Sequence, residues 1–340
     1  MIRVYDFDYN LLAETDRCLS SEWELKFNGI GTYEGAFQVN SEFASVFAEK
    51  KNLILCEDDK QAICVGKYIS DNLRVYGRTP EWLLSKRIVL PFKTSTIFGE
   101  NYTDPETLIL YLLDKAYKTP DTIAEDGTVS GSINTDAVCD DFVIPEAVGV
   151  APFDRHFWRN SANPLSEVII DLCDVIGCGF SLKADFQNKC WNFKLIFGEE
   201  KTVLMSKSLK NTYDMTLKES LLDTADGGYY ELYDAESEQK PYGYIKGENR
   251  GTGMLYWDNV LSSASGLSKA QALLEKAAPE YKINCELLGV VYGTDYQLGD
   301  IVRVQFESGK FRKTLKRRVT GISIINSSSQ KSIKPTLTEI

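Results

Sequence analysis

The chain opens MIRVYDFDYNLL, and Asp6 and Asp8 stand two apart after an apolar run. Two carboxylates at that spacing can flank a phosphoryl group, one attacking it and the other moving a proton. They also suit a turn, where Asp and Asn accept hydrogen bonds from their own backbone. A phosphatase built on this pair needs Gly and Thr or Val after the second Asp, where this chain has Tyr9 and Asn10. It also needs parallel strands alternating with helices, a pattern missing downstream. Asp6, Asp8 and Asn10 match the first three ligand positions of an EF-hand calcium loop. Leu11, however, stands where Gly must turn, and Arg17 where the bidentate Glu belongs. Asp6 and Asp8 therefore read as hairpin residues.

Little else could do chemistry. His156 is the only histidine, and no Ser/His/Asp set, phosphate loop or metal cluster is present in the sequence. Acid–base hydrolysis would have to run on carboxylates alone. The eight cysteines, Cys18, Cys56, Cys64, Cys139, Cys173, Cys178, Cys190 and Cys285, contain no Cys-x-x-Cys pair. They read as reduced packing thiols of a reducing compartment, and the pattern argues against zinc. The expectation is a chain that is not an enzyme and needs no cofactor.

At 340 residues and 43% hydrophobic, the chain is long enough for two or three cores. Charged residues make up 26%, and no apolar run approaches 18 residues, which excludes a membrane-spanning helix. The start carries no basic-then-apolar signal pattern, so synthesis and retention in the cytoplasm are expected. A net charge of −11 argues against a nucleic-acid grip over the whole surface. The charge is uneven. Thr119 to Asp154 holds eight acids and no Lys or Arg, while Arg303 to Arg318 holds seven basic residues and one acid, Glu307. The two blocks are either solvated loops or complementary faces in an assembly. On the second reading the candidate subunit interface comprises Arg312, Lys313, Lys316, Arg317, Arg318, Asp140 and Asp141.

The elements that would position these residues are mostly strands. Residues 1–90 read as a meander: a turn at Asp8-Tyr9-Asn10, a hairpin at Asn28–Gly31, a short helix on Phe43, Val46 and Phe47, and a hairpin at Asp58-Asp59-Lys60. Thr79-Pro80 and Asp104-Pro105 read as helix starts with a cap and a proline at the first helical position. The tract 119–154 reads as a long loop or inserted flap. In NPLSEVIIDLCDVIGCGFSL, Asn163 caps a helix that ends at Gly177 or Gly179. Leu165, Val168, Ile169, Leu172, Cys173 and Ile176 form its apolar face. The strand after it alternates Trp191, Phe193, Leu195 and Phe197, a row that is either core or a sugar platform. Residues 225–260 are rich in Tyr and Gly, a composition that suits edge strands, interfaces and carbohydrate contacts alike. A helix is expected at 266–278, then strands, with a Gly299-Asp300 turn feeding Val302, Val304 and Phe306.

IRVYDFDYNLLAE, FNGIGTYEGAFQV and VYGRTPEWLLSKRIVLP, in that order, resemble the opening of the ReqiPepy-type siphovirus tail proteins. NPLSEVIIDLCDVIGCGFSL with its hairpin, and YGTDYQLGDIVRV, resemble later segments of the same family. The resemblance spans most of the chain and lies in the order of segments, with no single diagnostic motif; tract 119–154 has no counterpart. It implies an α+β, mainly β fold, with two tube-like β-barrel domains, helices and a middle α/β region. The corresponding division is 1–95, a first β-barrel-like domain; 96–205, a middle region with the acidic loop 119–154; and 206–340, a second β-barrel-like domain. It further implies a structural baseplate hub or tail-tip protein of a phage or prophage, joining a six-fold tail tube to a three-fold tip. Implied with that are a homotrimer, partners among the tail-tube, distal-tail and tip proteins, and passage of DNA without specific binding. The location implied is the virion tail, after synthesis in the bacterial cytoplasm. A host cell-wall carbohydrate-binding module is the alternative function, drawn from the Tyr-rich segment. A peptidoglycan hydrolase finds no room, because the closing strands run to the last residue.

Overall fold

The period-two alternation of the first ninety residues is realised as strands. In the computed structural model of the chain, Ile2–Tyr5 (β1), Leu11–Thr15 (β2), Ser20–Lys26 (β3) and Thr32–Gln38 (β4) precede a helix, Glu42–Glu49 (α1). Ile54–Glu57 (β5), Lys60–Ile69 (β6) and Asn72–Arg78 (β7) follow it. The structure describes residues 1–90, 92–93, 104–124, 129–150, 158–159, 162–220, 224–231, 242–247, 254, 256–265, 270–271, 273–274, 277, 280–327 and 331–340.

Local chemistry explains most boundaries. Asp6 Oδ1 accepts from the backbone N–H groups of Asp8 and Asn10 at 3.1 and 2.8 Å, closing the turn between β1 and β2. Both aspartates are hairpin residues. Ser41 caps α1 by accepting from the Ala44 N–H at 3.1 Å, and Phe43 and Phe47 face the core. Asp104 caps Pro105–Leu113 (α2) by accepting from the Glu106 and Thr107 N–H groups. Thr79 does not cap: Pro80–Lys86 is a 3-10 helix, and the Thr79 hydroxyl accepts instead from the Gly31 N–H at 2.8 Å. Asn163-Pro164 pairs as a short strand with Ile88-Val89, so the next helix, Leu165–Ile176 (α3), starts after the proline without a side-chain cap. Gly177, with φ 75°, ends it.

Gly179–Asp185 (β8) and Cys190–Ile196 (β9) form an antiparallel hairpin, joined by Phe142-Val143 running parallel to β9. Trp191 and Phe193 are buried with Phe180, Leu182, Leu108, Leu165 and Ile169, so the aromatic row is core and not a sugar platform. Phe197 lies past the end of β9 and is exposed, against the expected inward alternation.

Farther along the chain come Glu200–Ser206 (β10), Thr212–Ser220 (β11), Gly227–Glu231 (β12), Tyr242–Lys246 (β13), Asp258–Ser265 (β14), Glu280–Leu287 (β15), Ile301–Ser308 (β16), Phe311–Ser327 (β17) and Lys331–Thr338 (β18). The largest sheet has 13 strands and runs β11-β15-β18-β17-β3-β4-β7-β6-β5-β1-β2, with β16 pairing β17 and β10 pairing β16. Two compact units result. Met1–Met215 with Asn284–Thr338 form one and Thr216–Ile283 the other, the boundary falling inside β11 and β15.

The chain is mainly β, but among the described residues no sheet closes into either of the tubes expected from the sequence. The large sheet curls instead. The Glu57 carboxylate of β5 accepts from Ser21 and Trp23 of β3 and from Asn326 of β17. Those strands stand four and five places along the sheet, about 19 and 24 Å away if it were flat at ~4.8 Å per strand. The curl encloses Trp23, Tyr33, Phe37, Leu55, Leu73 and Val75, all nearly inaccessible to water.

Candidate assembly surfaces

The basic block is the hairpin of β16 and β17, paired from Ile301↔Arg318 to Ser308↔Phe311. Its base is built into the fold. Arg318 Nη1 donates to the Phe197 and Gly299 carbonyls, each at 3.0 Å, and the guanidinium lies 5.2 Å over the Phe27 ring. Gly299, at φ +90°, is required there, since a Cβ would come within 2.3 Å of that ring. Behind it the buried Asp300 carboxylate accepts from the Glu199 and Gln297 N–H groups, both at 2.8 Å. Arg317 is also buried and donates to the Lys316 carbonyl at 2.8 Å.

Farther out, Lys316 Nζ lies 2.7 Å from Glu200, which Arg303 also approaches at 3.7 Å. The Lys316 hydrogen bond, then its charge, holds the Glu200 carboxyl below its usual value. Arg312 Nε sits 2.8 Å from Glu307. At the tip, Phe311 is 76% exposed, and Lys310, Arg312 and Lys313 are exposed around it.

The acidic tract has its own partners. Asp141 accepts from the Cys139 thiol at 2.9 Å and, very closely, from the Tyr9 hydroxyl. Burial, then that hydrogen bond, pushes the Tyr9 phenol well above its usual value. Tyr9 reaches Asp141 from the β1–β2 turn, where it adopts φ 65°. Asp140 is exposed, and its carbonyl accepts from Lys118 Nζ at 2.9 Å. Farther along, the buried Glu106 carboxylate takes the N–H groups of Val148, Gly149 and Val150 at 2.5, 2.8 and 2.9 Å. The described part of the tract is thus a strap fastened along its length, by Tyr9 at Asp141, by the pairing of Phe142-Val143 with β9, and by Glu106 at residues 148–150. Within one chain Asp141 is occupied by Tyr9 and Cys139, while Arg312, Lys316 and Arg318 are held by Glu307, Glu200 and two carbonyls. Glu106 and Tyr9 were not foreseen as fasteners. Glu106 reads in sequence as a first-turn helix residue, and only its near-complete burial marks it.

The smaller unit carries the Tyr-rich segment as a three-stranded sheet, β13-β12-β14. Its inner face buries Tyr230 and Leu261 against Ala270, Leu274 and Ala277, the described part of the helix expected at 266–278. Its outer face presents Tyr242, Tyr244 and Lys246 of β13, Tyr229 of β12, and Asp258 and Val260 of β14. Tyr229 and Tyr244 are cross-strand partners with ring centroids 4.8 Å apart. The Tyr244 hydroxyl reaches the Tyr256 hydroxyl and lies 2.8 Å from Asp258 Oδ1. Gly227 leaves the room for it: a Cβ there would stand 2.1 Å from that hydroxyl. The buried Asp226 holds the segment in place, accepting from the Trp257 N–H at 2.8 Å while its own N–H donates to the Trp257 carbonyl at 2.7 Å.

Among the described residues, no three His, Cys, Asp or Glu side chains converge as metal ligands, and no helix is long and apolar enough to cross a membrane. His156, Glu125, Asp126 and Asp154 lie outside the described residues.

No family model and no curated protein sequence matches the chain. Solved structures do match it along its length. A tail protein from Neisseria meningitidis aligns with a TM-score of 0.56 at 10% identity, covering 99% of this chain and 96% of that one. The 43 kDa tail protein of prophage MuSo2 from Shewanella oneidensis gives 0.58 at 9% identity, with 99% and 97% covered. Prophage tail protein gp18 from Listeria monocytogenes gives 0.53 at 11% identity, with 100% and 94% covered. The chain shares the fold of these proteins from end to end.

Proposed function

We propose that the chain is a structural, non-enzymatic component of a phage or prophage tail, acting at its distal end as a hub or tip protein of the ReqiPepy type. The observation that carries the reading is the fold shared over nearly the full length of both partners with three tail proteins. The proposed assembly is a homotrimer, in which the β-rich parts 1–95 and 206–340 each supply a tube-like segment around the axis and 96–205 braces them. Three copies with two such segments each would match a six-fold tube on one side and a three-fold tip on the other. The curl of the large sheet around Trp23 and Tyr33 supports the tube-like geometry for the first part. DNA would pass through without being gripped, in keeping with the net charge of −11. The neighbours would be tail-tube, distal-tail and tip proteins, and the chain would be made in the host cytoplasm before joining the virion.

Charge would steer the contact between copies more than hold it, since an exposed pair contributes about 0.2–1 kcal/mol. Arg312 and Lys313 at the hairpin tip, beside Phe311, and Asp140 on the strap are exposed. Arg317 and Arg318 serve the hairpin base. A carbohydrate-binding module, the alternative, draws on the exposed tyrosines of the smaller unit; that property adds to a structural role without replacing it.

The test is deletion of the chain followed by imaging of the particles. Tails that end without their distal structure are expected, and complete tails would overturn the proposal. The charge component is read separately, by reversing Arg312 and Lys313 to Glu and measuring incorporation at low and high salt. A loss at low salt that narrows at high salt is expected, and unchanged incorporation at both removes charge steering.

A further inference from the structure

The outer face of the sheet β13-β12-β14 is not built like an ordinary solvated surface. A strand face turned to water alternates in charged and small polar residues, whereas this one repeats tyrosine before it ends on Lys246. Tyr242 and Tyr244 occur two apart on β13, Tyr229 lies beside Tyr244 on β12, and Val260, 63% exposed, lies beside Tyr229 on β14. The face is also not simply apolar. At its middle the Tyr244 hydroxyl, the Tyr256 hydroxyl and the Asp258 carboxylate converge. The buried Asp226, which holds the backbone of Trp257 between Tyr256 and Asp258, and the close fit of Gly227 against the Tyr244 hydroxyl fix that convergence in place.

We infer that this tyrosine face binds an uncharged oligosaccharide, an interaction independent of the tail reading. Three properties select that ligand class. Exposed aromatic rings offer flat apolar platforms for the C–H faces of pyranose rings, and tyrosine keeps a polar tip beside each platform. Hydroxyls and a carboxylate clustered among the rings match a ligand that carries hydroxyls beside its apolar faces. An apolar protein surface in the same place would strip from the Asp258 carboxylate a hydration that the single Tyr244 hydroxyl does not replace. Charge disfavours polyanions: residues 216–283 hold 11 acids against 7 Lys and Arg, and Asp258 offsets Lys246, which lies across Gly227 from it on the face. Tyr242 and Tyr244 are separated along the strand by about 7 Å. Successive rings of a chain, and not one free sugar, would therefore cover the row.

The experiment titrates the full chain with chitotetraose, cellotetraose and maltotetraose, with heparin as the polyanion, and follows binding by calorimetry. Saturable binding of at least one neutral oligosaccharide is expected, with heparin silent. Tyr242→Ala, which removes a ring 59% exposed and outside the core, should fold normally and weaken binding about fivefold or more. Tyr244→Ala should weaken it about tenfold or more, and Tyr244→Phe, which keeps the ring and loses the hydroxyl, should fall between wild type and Tyr244→Ala. Absence of binding by all three oligosaccharides at millimolar concentration would overturn the inference. So would affinities unchanged in both alanine variants, or tighter binding of heparin. If Tyr242→Ala instead abolishes self-association measured by sedimentation, the face belongs to a second copy of the chain and the inference fails.

Discussion

The tip and the base of the β16–β17 hairpin carry the same residue types and do different things. At the base of the hairpin Arg317 and Arg318 are folded into the protein, and Arg318 ties three distant segments together through Phe27, Phe197 and Gly299. At the tip Arg312 and Lys313 are exposed around Phe311. A run of like charge is therefore not one feature. Depth divides it into a structural clamp and an exposed tip.

The comparison is tested most severely at the base. Arg318→Glu would set a carboxylate against the Phe197 and Gly299 carbonyls and remove the cation from Phe27. A loss of about 3 kcal/mol or more is expected in urea unfolding. A change under about 1 kcal/mol would erase the distinction between base and tip.

Glu106→Ala comes next. It removes the acceptor of three backbone N–H groups, but Val148 and Gly149 are themselves exposed and can turn to water once released. The expected cost is about 2 kcal/mol, with faster proteolytic cleavage in the strap than in the wild type. Cleavage at an unchanged rate would show that the strap is held elsewhere.

Asp6 makes a smaller contribution, visible only in acid. Slight burial acts to raise its pKa, but hydrogen bonds from Asn10 and Asp8 outweigh it and bring the carboxyl below its ordinary value of 3.8. As pH falls through about 4, the unfolded chain takes up the proton first. The stabilisation is thus complete above that pH and lost as pH drops through the lowered folded value. Asp6→Asn should make the acid limb of stability below pH 4 shallower, and an identical limb would contradict the turn geometry.

The smallest effect belongs to the tip. Arg312→Ala breaks an exposed pair with Glu307 and should change stability by less than about 1 kcal/mol.

Local signals were legible in the sequence. The turn at Asp8–Asn10, the Asp104-Pro105 helix start and the apolar face of α3 each depend on residues a few positions apart. The failures share a different cause. Thr79 looked like a cap, but its hydroxyl answers Gly31, 48 residues away. Phe197 followed the alternation of its strand, yet the strand had ended, and its carbonyl was needed by Arg318, 121 residues on. Seven basic residues in a short run showed charge, and nothing in their spacing showed which would be buried. The strap is the sharpest case, because its acids read as a free loop while Tyr9 and Glu106, both far away in sequence, fasten it.

The central claim is a three-fold ring of this chain at the distal end of a tail. A reconstruction of intact tail particles, made without imposed symmetry, reads it directly through the number of copies around the tail axis. Three copies related by a three-fold axis, with the tip of each β16–β17 hairpin against a neighbouring copy, is the predicted result; a closed two-fold dimer, or tails that lack the chain, would contradict it.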